Sequence, residues 1–199
     1  MTSAELPAGP PPALVVRSRR AASVGGLTLP LRDAELRRIL PHRHPFALLD
    51  RVDKLEPGRR ATGSFAVTRN DGVFEGHFPE RPVLPGVLLV EALAQLSGVL
   101  VWATAVGAPD GVAADPHGTA DPQDTGGVDA PPDDPRTAPL GVLAGVKRMR
   151  FRDMVVPGDV VALESVLGAQ LGGVAEFTVS ATVDKRVVAD GTLQLALRA

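Results

Sequence analysis

His77 stands alone among prolines, in Phe74-Glu75-Gly76-His77-Phe78-Pro79, with Pro82 and Pro85 close behind. An imidazole offers both a base and an acid near neutral pH. Fourteen positions on lies Glu91, set in an apolar run from Gly86 to Ala105 whose polar interruptions are mainly Glu91, Gln95 and Ser97. A carboxylate in such surroundings is costly unless it has a partner or a task, and burial is expected to raise its pKa. Glu91 and Gln95 are four apart and share one helical face, so the amide can orient the acid. Gly86 falls at the start of that helix, where unpaired N–H groups and the positive end of the dipole favour negative charge. Imidazole, desolvated acid, amide and helix end together suit acid–base chemistry on a carbonyl compound.

The elements that must position these groups are legible in outline. The Gly86–Ala105 run is long and rich in Leu, Ala, Glu and Gln, which argues for helix, and Pro85 suits its first turn. Apolar residues on every side predict a helix buried almost all round. The run approaches the length of a membrane span, but Glu91 and Gln95 near its middle favour a core helix. Upstream, Asp33 is expected to cap a short helix, Ala34–Ile39, stopped by Pro41. Strands are predicted over Phe46–Leu55, Ala61–Thr68, Leu140–Val155, Val160–Leu167, Val174–Val183 and Val187–Leu197. Their turns fall at Glu56-Pro57-Gly58, Asn70-Asp71-Gly72, Val156–Asp159, Gly172-Gly173 and near Asp184-Lys185. Late strands after one long helix imply an antiparallel sheet wrapped around it, an α+β fold. His42 and His44 could form a metal pair, but neither cysteine nor a carboxylate at ligand spacing joins them, and a structural or channel-lining role is expected.

Composition bounds the rest. The chain has 199 residues, 44% hydrophobic, with net charge −2 and no cysteine. This fits one globular domain, with no bulk attraction to nucleic acid or anionic membrane and no disulfide framework, and it suits the cytoplasm. Residues 1–30 read as an extension without a core, and their arginines follow a short apolar patch, the reverse of a signal peptide. One domain is expected over 31–199, interrupted at about 107–139 by a Gly/Pro/Asp-rich stretch read as a mobile acidic loop. His117 is expected to be solvated there, and the aspartates lack the spacing and closing glutamate of an EF-hand.

Three motifs in order carry a resemblance: Leu40-Pro41-His42-Arg43-His44-Pro45-Phe46 through Val52, His77-Phe78-Pro79 through Pro85-Gly86-Val87-Leu88 to Glu91 and Gln95, and Leu143-Ala144-Gly145 through Asp159. From about Leu31 onward the chain resembles the hot-dog-fold 3-hydroxyacyl-acyl-carrier-protein dehydratases of fatty acid synthesis. The resemblance implies an antiparallel sheet around one central helix. It implies a site at a homodimer interface, with His77 of one subunit facing Glu91 of the other, and leaves open a trimer of dimers or a heterodimer. It makes His77 and Glu91 catalytic. Gly86 would bind the thioester oxygen, the Val83 carbonyl would fix the His77 tautomer, Gln95 would hold Glu91, and Phe78, Pro85 and Val87 would line the substrate. No cofactor or metal is implied, the substrate being borne on the phosphopantetheine of an acyl carrier protein.

Met149 and Phe151 alternate with Arg148, Arg150 and Arg152, and with Lys147 these make a basic face that is either a solvated strand surface or a carrier-docking patch. The family's aromatic gate, commonly a tyrosine before the position of Ala144-Gly145, is replaced here by Gly141, Val142 and Leu143 in a chain with no tyrosine. Two other functions fit the same fold: an acyl thioesterase, in which a carboxylate activates water, and a non-catalytic partner subunit of a heterodimer. On the leading reading His77 is the base at C2 and Glu91 the acid that assists departure of the hydroxyl. The variant has His77 do both while Glu91 orients water.

Overall fold

A computed structural model describes residues 22–107 and 140–198; the expected extension over residues 1–21 and the acidic stretch at 108–139, His117 included, lie outside the described residues. The elements run β1 (Ser23–Val24), β2 (Leu27–Thr28), α1 (Asp33–Ile39), β3 (Arg51–Glu56), β4 (Arg60–Ala66), a 3-10 turn (Gly72–Glu75), α2 (Gly86–Gly107), β5 (Leu140–Phe151), β6 (Val160–Leu171), β7 (Val174–Val183) and β8 (Arg186–Arg198). Strands β3 to β8 form one antiparallel sheet in the order β3-β4-β6-β7-β8-β5, wrapped around α2 in the hot-dog arrangement.

Alternation explains the wrap. Residues Ala61, Gly63 and Phe65 of β4, Val161, Leu163 and Ser165 of β6, and Ala175, Phe177, Val179 and Ala181 of β7 are all buried. They point inward, and their intervening neighbours face out. Every residue of α2 from Ala92 to Ala103 is buried. This helix is long and apolar enough to cross a membrane, yet here the sheet covers it. Gly63 allows the closest approach: a Cβ there would meet the Arg51 carbonyl oxygen at 2.5 Å and a Leu96 methyl at 3.4 Å.

Two details depart from expectation. Residues 23–28, placed in the N-terminal extension, form a hairpin against the end of α2; a Cβ on Gly25 would sit 2.7 Å from Val106 and 2.9 Å from Trp102. The predicted strand Phe46–Leu55 begins only at Arg51, because the backbone at Phe46 and Leu48 bonds instead to a helix side chain.

The one buried hydroxyl pair described ties α2 to the sheet. Ser97 Oγ donates to the Leu93 carbonyl at 2.8 Å, so the 2.8 Å bond to Ser165 must be donated by Ser165. Ser165→Ala should therefore destabilise the wild-type chain by about 1 kcal/mol. In a Ser97→Ala background, where the Ser165 hydroxyl is already stranded, the same change should be neutral or stabilising in urea unfolding. An equal loss in both backgrounds would contradict this coupling.

Candidate active site

His77 sits in the loop between the 3-10 turn and α2, held by reciprocal bonds with Val83. Its Nδ1 lies 2.7 Å from the Val83 carbonyl, and the Val83 N–H donates to the His77 carbonyl at 3.3 Å. A carbonyl can only accept, so Nδ1 carries the proton and Nε2 keeps its lone pair. The loop is fixed further where His77 N–H meets the Val73 carbonyl at 3.0 Å and Leu84 N–H meets the Val155 carbonyl at 2.8 Å. The His77–Phe78 peptide is cis. Phe78 stacks on the imidazole at 4.2 Å between centroids. Phe78 and Val87 are exposed and Pro85 is partly buried, so these three expected substrate contacts border the loop and the first turn of α2.

Gly86 opens α2, where its N–H has no acceptor within the helix. The Phe151 ring packs on its Cα so closely that a Cβ would lie 2.8 Å from the ring edge. Only glycine lets the end of β5 cover the helix start this tightly.

Glu91 lies on the next turns of the same helix. Gln95, 2% exposed, donates from Nε2 to Glu91 Oε1 at 2.8 Å and to the Phe46 carbonyl at 2.7 Å, while its Oε1 accepts from Leu48 N–H at 3.0 Å. A flipped amide would set donor against donor at Leu48 and oxygen against oxygen at the other two, so the orientation is determined. Glu91 Oε1 also meets His42 Nε2 at 3.3 Å. The Gln95 hydrogen bond and the closest approach of His42 both fall on Oε1; Oε2 has no hydrogen bond among the described residues.

The expectation for Glu91 is corrected here. Burial does push the carboxyl upward, but the His42 imidazole, with help from Gln95, outweighs it and holds the pKa below the usual glutamate value. The fold thus stabilises the ionised form near neutral pH, and that contribution fades as pH falls through the depressed pKa.

His42, expected from the sequence to have a structural or channel-lining role, does line a cavity, but its contact with Glu91 was not foreseen. It follows α1 and Pro41, and its backbone is fixed by Arg43. The Arg43 guanidinium donates to the carbonyls of Leu40 at 2.8 Å, His42 at 2.7 Å and Arg37 at 3.1 Å. The usable signal was Glu91 itself, since a buried acid demands a donor and the chain has only four histidines. Among the described residues no three His, Cys, Asp or Glu side chains gather as a metal site.

His42, Glu91 and Gln95 form the polar end of a cavity of about 170 Å³, whose apolar wall includes Leu40, Ala94, Val142 and Leu143. Gly98 and Gly141 leave it room. His77 does not line this cavity, and no hydrogen bond or ion pair joins His77 to Glu91 within the chain. The larger hollow, about 430 Å³, lies elsewhere, against the outward-facing residues Thr62, Ser64, Glu164 and Thr182.

On β5 the expected basic face is partly neutralised. Lys147 pairs with Glu176 at 2.9 Å and Arg152 pairs with Asp190; each cation holds its partner's carboxyl below the ordinary value. The alternation breaks at Arg148, whose φ is 49°, where the register with β8 shifts between Lys147 and Arg150. Arg148 and Arg150 form no ion pair among the described residues.

A FabA-like domain model matches residues 40–118. The 3-hydroxyacyl-[acyl-carrier-protein] dehydratase FabZ of Ruminiclostridium cellulolyticum is 38% identical over 167 residues, covering 84% of this chain and 97% of that protein. The protein of the same description from Roseiflexus castenholzii is 39% identical over 163 residues, covering 82% and 94%. Among solved structures, the dehydratase heterocomplex ApeI:P from Xenorhabdus doucetiae aligns with a TM-score of 0.57 at 20% identity over 87% of this chain and 93% of that one, a likeness of fold. With this identity sustained over nearly the full length of its relatives, the chain belongs to the FabZ family of 3-hydroxyacyl-[acyl-carrier-protein] dehydratases.

Proposed function

We propose that the chain removes water from (3R)-3-hydroxyacyl thioesters borne on the phosphopantetheine of an acyl carrier protein, giving trans-2-enoyl thioesters in fatty acid or polyketide assembly. The observation that carries this reading is the His77 ring. Its Nδ1–H is committed to Val83, which leaves a basic Nε2, in a chain whose relatives are named as dehydratases of such substrates.

In the reaction His77 Nε2 takes the proton from C2. The electron pair released becomes the C2–C3 double bond as the C3–O bond breaks, and the departing hydroxide takes the proton back from His77 to leave as water. Negative charge builds on the thioester oxygen as C2 is deprotonated, and the Gly86 N–H at the start of α2 would receive it with help from the helix dipole. An ionised Glu91 is a poor acid but a good acceptor, so it orients the 3-hydroxyl through Oε2. The acyl chain undergoes no net oxidation or reduction, so the reaction asks for no redox cofactor.

The site is completed in a homodimer, His77 of one subunit working with Glu91 of the other. Supporting this, β5 is an edge strand whose Val142, Leu143 and Val146 are 42%, 38% and 48% exposed, and Val87 at the start of α2 is 69% exposed. A second copy laid along that edge would cover both and close the cavity. The acyl chain would run between the subunits past Val142 and Leu143. The carrier would dock on Arg148 and Arg150, the cations of the basic face that the ion pairs leave available, and the enzyme would work in the cytoplasm.

His77→Ala should lower kcat about 10²- to 10⁴-fold with the dimer intact. Glu91→Ala should be nearly inactive and Glu91→Gln, which keeps an acceptor oxygen, intermediate. The assay is formation of the 2-enoyl product from a 3-hydroxyacyl thioester; near-wild-type alanine variants, or release of a free acid and thiol, would contradict the assignment. Arg148→Glu with Arg150→Glu should raise KM for the carrier-borne substrate about tenfold while leaving a small pantetheine thioester unaffected.

A further inference from the structure

We propose that His42 is the positioning residue for Glu91: it anchors Oε1 from outside the helix and so presents Oε2 to the substrate's 3-hydroxyl. This rests on the dehydratase reading above.

Three observations carry it. First, the Gln95 hydrogen bond at 2.8 Å and the closest His42 contact at 3.3 Å converge on the same oxygen of a carboxylate that lines the cavity, and the other oxygen takes no hydrogen bond among the described residues. A hydrogen bond from the helix and an imidazole contact from the preceding loop hold the carboxylate from two directions, where Gln95 alone would leave it free to rotate about its terminal torsion. Second, the His42 ring has one sensible tautomer. Nε2 faces the carboxylate, while Nδ1 is fully buried with no hydrogen-bond partner, so the proton belongs on Nε2. Third, the histidine is itself held. Arg43 spans three carbonyls around it, and the chain beyond is anchored where Phe46 N–H and Ala47 N–H bond the Arg43 carbonyl at 2.7 and 3.0 Å and where Phe46 and Leu48 bond Gln95. Gln95 thus fixes both the carboxylate and the segment that carries its second donor.

Among the described residues the other walls offer Glu91 no charge. From β5 only Gly141, Val142 and Leu143 face the cavity, and from α1's exit Leu40 and Pro41. The proposed dimer brings His77 of the partner subunit to the site, and it is unchanged in every variant below. The pH dependence follows with a definite sign. His42 favours the ionised carboxylate, so its loss lets Glu91 take a proton at higher pH.

The test compares the wild-type chain with His42→Ala and His42→Gln, the latter keeping a non-ionising donor of similar reach. His42→Ala should lower kcat about tenfold with KM changed less than about threefold, and move the acid limb of the kcat profile up by about one pH unit. His42→Gln should recover most of kcat and return the limb. In parallel, Glu91 is titrated in all three proteins through its side-chain carboxyl carbon by NMR, assigned with Glu91→Gln. The midpoint should rise in His42→Ala and fall back in His42→Gln. An unmoved midpoint, a loss confined to KM, or a glutamine variant as impaired as the alanine would overturn the proposal. A wild-type chain that does not dehydrate the substrate would refute the dehydratase reading and the catalytic purpose of His42 with it, while the titration alone would decide whether His42 holds the carboxylate.

Discussion

A carboxylate on an otherwise apolar helix has to be met by donors, and the ground plan of this site follows from how that demand is satisfied. Glu91 lies on the helix around which the sheet closes, one turn before a buried carboxamide. Gln95 has two donors and an acceptor to satisfy out of reach of water, and it satisfies them with Glu91 and with the backbone of Phe46 and Leu48. A polar side chain in the core thereby draws a loop across the helix face, and the loop brings His42. The same few bonds orient the acid, seat its neighbour and stop β3 from starting before Arg51.

Around this cluster a closely packed helix body meets a more exposed helix start. Helix α2 is buried throughout from Ala92 to Ala103 and pinned by the Ser97–Ser165 hydroxyl pair. Its first turn is only partly covered, with the Phe151 ring pressed on Gly86 and Val87 exposed beside it. A helix start favours negative charge, and on the proposed reading this one would meet the substrate oxygen. Edge strand β5 borders both the helix start and the cavity holding Glu91, so on the proposed reading one surface would serve assembly and chemistry together.

The sequence made the long helix legible because its length, composition and lack of a polar face admit few alternatives. The turns at Gly172-Gly173 and Asp184-Lys185 were legible from their residue types, and all four residues adopt positive φ. Strand order was not legible: β5 lies beside β8, the last strand, and no local signal encodes that pairing. The hairpin at 23–28 escaped because two-residue strands among Ser and Gly read as linker, though packing on Trp102 decides the matter. At α1 the cap fell to Arg32, whose N–H is taken by Glu35 at 2.9 Å, rather than to Asp33. The site was half visible. His77, Gly86, Glu91 and Gln95 announce themselves by type and spacing, while Val83 enters only through the resemblance. The ionisation of Glu91 did not, because it turns on an imidazole almost fifty residues upstream, and long-range contacts set pKa values that local burial cannot predict.

The central claim is that His77 and Glu91 meet on one thioester from two copies of the chain. It is tested most directly by mixing two inactive proteins, His77→Ala and Glu91→Ala, under conditions that let subunits exchange. In a twofold-symmetric dimer with shared sites, each mixed dimer contains one site with both residues intact, so activity should return to about a quarter of wild type. If each subunit builds its own site, every site in the mixture lacks one group and no activity returns, a result that would contradict the account.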